Sequence, residues 1–120
     1  MRNWLVIGSM LAALVVAPLA LAHAFPSHSS PAVGATLTTA PHDVKIWFDG
    51  ELEPVFSTLI VKDASNHAIS TGKGEVDPKN HTLLETALPA TLAAGKYAAY
   101  WSVIAHDGHH TAGHFAFTVK

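Results

Sequence analysis

The chain has 120 residues, with 7 Lys+Arg against 9 Asp+Glu, 9 His, 2 Met and no Cys, and a formal net charge of −2 with histidine neutral. That balance excludes the clustered positive surface a nucleic-acid partner needs. The missing cysteines exclude disulfides and thiolate metal sites, so the fold must rest on a packed core, and the length suits one small domain.

The first element is a leader. Arg2 supplies a positive start, and Leu5 to Leu21 is apolar, interrupted mainly by Gly8, Ser9 and Pro18. Ala20-Leu21-Ala22 then presents a small-residue cleavage pattern. Residues 1–22 are therefore expected to be a signal peptide, and residues 23–120 the mature domain. The alternative is an uncleaved anchor, since the apolar run approaches the length that spans a bilayer. Cleavage leaves 98 of the 120 residues; losing Arg2 takes Lys+Arg from 7 to 6 against 9 acids, a formal charge of −3. Met1 and Met10 both leave with the leader, so soft Cu(I) sites built on thioethers are excluded, whereas all nine histidines stay. The mature protein is expected on the far side of the membrane, soluble after cleavage.

Residues 23–42 are rich in Pro, Ser, Ala, Thr and Gly and read as an irregular arm. Val44, Ile46 and Phe48 alternate with Lys45 and Trp47, a strand of period two. Ser57 to Lys62 reads as a second strand, Asp63 to Asn66 as a turn and Ala68 to Ser70 as a short return strand. The segments 71–74 and 77–80 read as loops, with room between them for no more than a short strand. His81 to Thr86 is a further strand, and 88–95 a connection. Lys96 to Ala105, with Tyr97, Tyr100, Trp101, Val103 and Ile104, is the longest strand signal. His106 to Gly113 reads as a polar loop, and His114 to Lys120 closes the chain with Phe115, Phe117 and Val119 on one face. Short strands, turn signals and no amphipathic helix define an all-β class: a Greek-key sandwich or barrel of about seven strands, Ig-like or cupredoxin-like.

Cleavage after Ala22 would make His23 the first residue. An N-terminal histidine offers a metal its α-amine and its imidazole together, in one chelate ring. Asp107-Gly108-His109 supplies a carboxylate and a second imidazole, and on extended backbone the i, i+2 spacing puts both on one face. Nitrogen and oxygen donors of this kind suit a tetragonal Cu(II) site. Asp107 would serve either as a ligand or as the acceptor that orients an imidazole. Affinity should fall with pH, because the metal displaces protons from its ligands. His106 and His110 flank the pair and would point to the other face. His114 could reach the loop mouth, and His28 is close to His23 in sequence. His42, His67 and His81 read as exposed turn residues, and Trp47 as an outward-facing one.

From His23 onward the chain resembles the CopC family of periplasmic copper-binding proteins. The matching pieces are His23-Ala24-Phe25, Ser30-Pro31-Ala32-Val33-Gly34-Ala35, Val44-Lys45-Ile46-Trp47-Phe48 and Glu51-Leu52-Glu53-Pro54-Val55-Phe56-Ser57. Gly95-Lys96-Tyr97 leads through Trp101-Ser102-Val103 into Asp107-Gly108-His109. Gly113-His114-Phe115-Ala116-Phe117-Thr118-Val119 follows. The resemblance implies a Greek-key barrel or sandwich and a Cu(II) site made by His23, Asp107 and His109. It also implies a CopD-like inner-membrane copper transporter as partner, or an independent part in copper tolerance. The region from Asp63 to Lys79 lacks the Met-rich loop of some members, so the chain resembles the Cu(II)-only branch. In the turn Phe48-Asp49-Gly50-Glu51, either Asp49 or Glu51 could stand for a glutamate that some members place near the metal.

The expected function is Cu(II) binding for sequestration, transport or resistance, by a monomer and without catalysis. Two other classes stay open. One is a small oxidative enzyme of the histidine-brace kind, against which a carboxylate ligand would occupy a position that oxygen chemistry needs open. The other is an Ig-like interaction module whose histidines are incidental.

Overall fold

A computed structural model of the chain describes residues 24–120. The signal-peptide reading and His23 lie outside the described residues. Eight strands follow in order: β1 (Pro26–Ser30), β2 (Thr36–Leu37), β3 (Asp43–Phe48), β4 (Thr58–Asp63), β5 (Thr71–Asp77), β6 (Asn80–Ala87), β7 (Gly95–Ile104) and β8 (His110–Val119), with one 3-10 turn at Pro54–Phe56 between β3 and β4. They form two four-stranded sheets, ordered β1-β3-β6-β5 and β2-β8-β7-β4. The class is the expected β-sandwich. Among the described residues no helix is long and apolar enough to cross a membrane.

Period-two patterning decides which side of each strand faces the other sheet. On β3, Val44, Ile46 and Phe48 are buried while Asp43, Lys45 and Trp47 are only partly covered. The outward Trp47 stacks on His28 of β1, with ring centroids 4.4 Å apart. Leu59 and Val61 of β4, Tyr97, Ala99 and Val103 of β7, and Phe115, Phe117 and Val119 of β8 meet the β3 side chains together with Val76 and Leu84. Trp101 packs against this core from its edge, its ring set edge-on to Phe48 at 5.4 Å. Opposite Trp101 on β8 stands Gly113, where a Cβ would come within 2.6 Å of the indole. A side chain there would expel the ring.

Three segments differ from the sequence reading. The arm 23–42 is not wholly irregular: β1 pairs antiparallel with β3, and the two-residue β2 runs parallel to the end of β8. β1 is an edge strand whose residues are mostly exposed, so it carries no apolar alternation to read. Segment 71–74 is strand rather than loop. Gly72 and Gly74 have φ of 68° and 83°, and a Cβ at Gly74 would lie 2.8 Å from the Leu59 nitrogen. Gly74 lets β5 pass close over β4, and glycine is what made the segment look like a turn. Finally, β8 begins at His110, shortening the expected polar loop.

Tyr97 stacks on Phe117 at 5.6 Å, and its hydroxyl donates to the Ala93 carbonyl four residues back. Burial first, and the Asp63 carboxylate second, raise its pKa above the ordinary value of 10.0. The folded state therefore keeps a proton that the unfolded chain gives up, so this contribution to stability is complete below about pH 10 and is lost as pH rises through the folded-state pKa. Tyr97→Phe is expected to cost about 1 kcal/mol at neutral pH. It should also flatten the fall in melting temperature above about pH 10, measured by circular dichroism.

Candidate metal site

One end of the sandwich gathers the segments that precede β1, follow β3 and join β7 to β8. The last of these is a tight turn. Ala105 donates to the His109 carbonyl at 2.9 Å, and Gly108 to the Ala105 carbonyl at 2.8 Å. Gly108 sits at φ 90°, a backbone region that disfavours any residue with a Cβ. The Asp107 carboxylate closes the turn. Oδ1 accepts the His109 backbone N–H at 3.1 Å, and Oδ2 lies 2.6 Å from His109 Nδ1. Asp107 and His109 are thus together, as expected, but not by strand alternation. A turn with a left-handed glycine folds the imidazole back onto the carboxylate. The His109 side chain keeps 60% of its surface exposed and Asp107 28%, so both are open to an ion from solvent.

The start of the described chain is brought to this turn from both sheets. Ala24 is fully buried, and its carbonyl accepts the Thr111 hydroxyl at 2.7 Å across 87 residues of sequence. Phe25 is held by Asp49: its N–H donates to Oδ1 at 2.7 Å, and its carbonyl accepts the Asp49 N–H at 2.9 Å. Asp49 therefore spends one carboxylate oxygen on the backbone of Phe25. Sequence reasoning weighed Asp49 only as a metal neighbour and did not find Thr111; neither bond leaves a periodic signal. Glu51 enters through its backbone, its carbonyl accepting the His106 N–H at 3.0 Å.

Four of the other histidines are engaged elsewhere. His106 Nδ1 lies 3.1 Å from Glu53 Oε1. His110 Nε2 is 2.7 Å from the Ser102 hydroxyl on the outer face of β7. His114 stacks on the exposed Tyr100 at 5.3 Å, and His28 on Trp47. Among the described residues no group of three or more His, Cys, Asp or Glu gathers closely enough to hold a metal. The described part of the expected donor set is the pair Asp107 and His109, with His23 joined to Ala24 by one peptide bond. The donor chemistry fits a nitrogen- and oxygen-liking divalent ion: an accessible imidazole, oriented by a carboxylate as metal-binding histidines commonly are.

A two-sheet β-sandwich with an Asp-x-His turn beside the start of β1 defines a class of small all-β proteins, and comparison with known proteins identifies the family. Residues 27–120 match the CopC domain, and the chain belongs to the CopC family. It is 32% identical over 112 residues to protein YobA of Escherichia coli K12, covering 93% of this chain and 90% of that one. It is also 30% identical over 119 residues to copper transport protein CutJ of Bacillus subtilis, where it spans 98% of its own length but only 21% of the relative's. Among solved structures, CopC from Methylosinus trichosporium OB3b superposes with a TM-score of 0.76 at 28% identity, over 82% of this chain and 94% of the other. PcoC, a methionine-rich copper resistance protein of Escherichia coli, shares the fold with a TM-score of 0.70 at 22% identity, over 82% and 99%.

Proposed function

We propose that the chain is a periplasmic Cu(II)-binding protein that captures one copper ion after residues 1–22 are removed. The ligands in this reading are the α-amine and imidazole of His23, the Asp107 carboxylate and the imidazole of His109. The observation that carries it is the tethering of Ala24 and Phe25 to Thr111 and Asp49, which ties the residue next to His23 to the strand that begins just past His109. The similarity to CutJ, a copper transport protein, agrees with copper as the cargo. The contact between Asp107 and His109 Nδ1 favours Nε2 as the metal-binding nitrogen. Asp107 orients the ring in that pose and ligates the ion itself once its carboxylate turns toward it.

Binding needs no catalytic group. The chain would buffer Cu(II) outside the inner membrane, as a monomer, and hand it to a CopD-like membrane transporter. The precursor lacks a free amine at His23, so tight binding would arise only on the far side of the membrane. The test is a Cu(II) competition titration against a strong chelator, on protein beginning at His23 and on the same protein with one extra residue in front. The first should bind one ion tightly, and the second more weakly by over about 100-fold, because a ligand is lost and not only an outer-shell partner. Equal, weak binding by both overturns the reading in favour of an interaction module. Oxygen consumption by the copper-loaded protein with ascorbate would instead favour an oxidative enzyme.

A further inference from the structure

Two ties hold the segment at Ala24–Phe25, and they lead to different sheets. Asp49 follows β3 and fastens Phe25 to the β1-β3-β6-β5 sheet. Thr111 is the second residue of β8 and fastens Ala24 to the other sheet, the one whose β7–β8 turn carries Asp107 and His109. The Thr111 tie runs directly from Ala24 to the strand that follows that turn, whereas the Asp49 tie reaches the turn only through the Glu51–His106 backbone bond. Thr111 pairs with Val103 in the ladder and is partly buried. Its hydroxyl crosses to a backbone carbonyl 87 residues away, although a valine of the same shape would fill the space equally well. The Ala24 side chain is fully enclosed, which leaves the segment little freedom to slide.

We propose that Thr111 is a positioning residue for copper: its hydroxyl sets where the mature N-terminus stands relative to Asp107 and His109, and so sets the affinity of the site. This rests on the Cu(II)-binding reading above. Thr111 touches no metal. It acts through the Ala24 carbonyl, fixing one end of the peptide that joins His23 to the fold. A chain start free to wander would have to be ordered at the moment of binding, and affinity would fall accordingly.

The experiment is a cycle of Thr111→Val and Thr111→Ser in protein beginning at His23 and in protein with one extra residue in front. Each form is titrated with Cu(II) against a chelator, with melting temperature and amide exchange measured without metal. Expected is a loss of about tenfold in affinity for Thr111→Val in the His23 form, restored by Thr111→Ser, and a smaller loss in the extended form, where the His23 imidazole but not its amine remains to be positioned. Faster exchange at the Phe25 amide in Thr111→Val should accompany it. An equal loss in both forms means a merely structural role and overturns the proposal, as does unchanged affinity in the His23 form. If the unsubstituted protein binds copper equally with and without the extra residue, the Cu(II) reading itself fails and takes this proposal with it. The two failures are thus told apart by the unsubstituted protein alone.

Discussion

Replacing His109 with alanine is expected to weaken Cu(II) binding by more than 100-fold while leaving the metal-free protein folded. The binding loss should exceed the 10–100-fold that follows removal of an outer-shell partner, because a ligand itself is removed. It also strips Asp107 of the imidazole it orients, so the carboxylate loses its 2.6 Å contact while Oδ1 keeps the residue-109 backbone N–H. Stability should change little, since the imidazole is mostly exposed and the turn keeps its Ala105–His109 and Gly108–Ala105 backbone bonds. His114→Ala is the matched control. His114 stacks on Tyr100 on the outer face of the sheet and should leave affinity within about twofold. The check is a chelator competition titration on both variants, beside thermal unfolding of each without metal. A His109→Ala protein that still holds copper like its parent would remove the Asp107–His109 turn from the site.

The second large effect concerns the core. Phe117→Ala is expected to cost about 3–5 kcal/mol, the range for emptying a buried aromatic position. Phe117 is 1% exposed, lies on β8 between the sheets and stacks on Tyr97. Without disulfides, nothing covalent limits the loss. In a domain of about 100 residues each kcal/mol moves the melting temperature by about 4–8 °C, so a fall on the order of 20 °C should appear in a thermal scan. Chemical denaturation gives the free energy directly. A change of less than about 1 kcal/mol would mean that the two sheets do not close over Phe117.

Which parts of this molecule could be read from its residues follows from what writes a pattern. Val44, Ile46 and Phe48 alternate because β3 has one face on the core, and Phe115, Phe117 and Val119 do so for the same reason on β8. Such strands announce both their existence and their buried side. β1 has no such face. Pro26 to Ser30 is an edge strand held by backbone bonds to β3, and its polar residues resemble a loop. β5 was hidden by Gly72 and Gly74, which mark turns in most sequences; here Gly74 admits Leu59. The pairing of Asp107 with His109 was legible, although its cause was misread: alternation suggested it, whereas a turn with Gly108 at φ 90° produces it. The roles of Asp49 and Thr111 were out of reach. They are hydrogen bonds to backbone atoms far away in sequence, and any residue can offer a backbone carbonyl or N–H.

The bond from Thr111 to Ala24 joins the two ends of the chain, and that has a bearing on secretion. A protein threaded across a membrane from its N-terminus delivers residue 24 first and residue 111 near the last. In the proposed site the amine emerges early, and its anchoring strand arrives only when export is almost complete. In the proposed reading, copper held by the finished site reports a fully exported chain, and a truncation that removes β8 is expected to abolish capture even with His23 intact. Newly exported, incomplete molecules would compete poorly for the metal, leaving it to copies that have already closed.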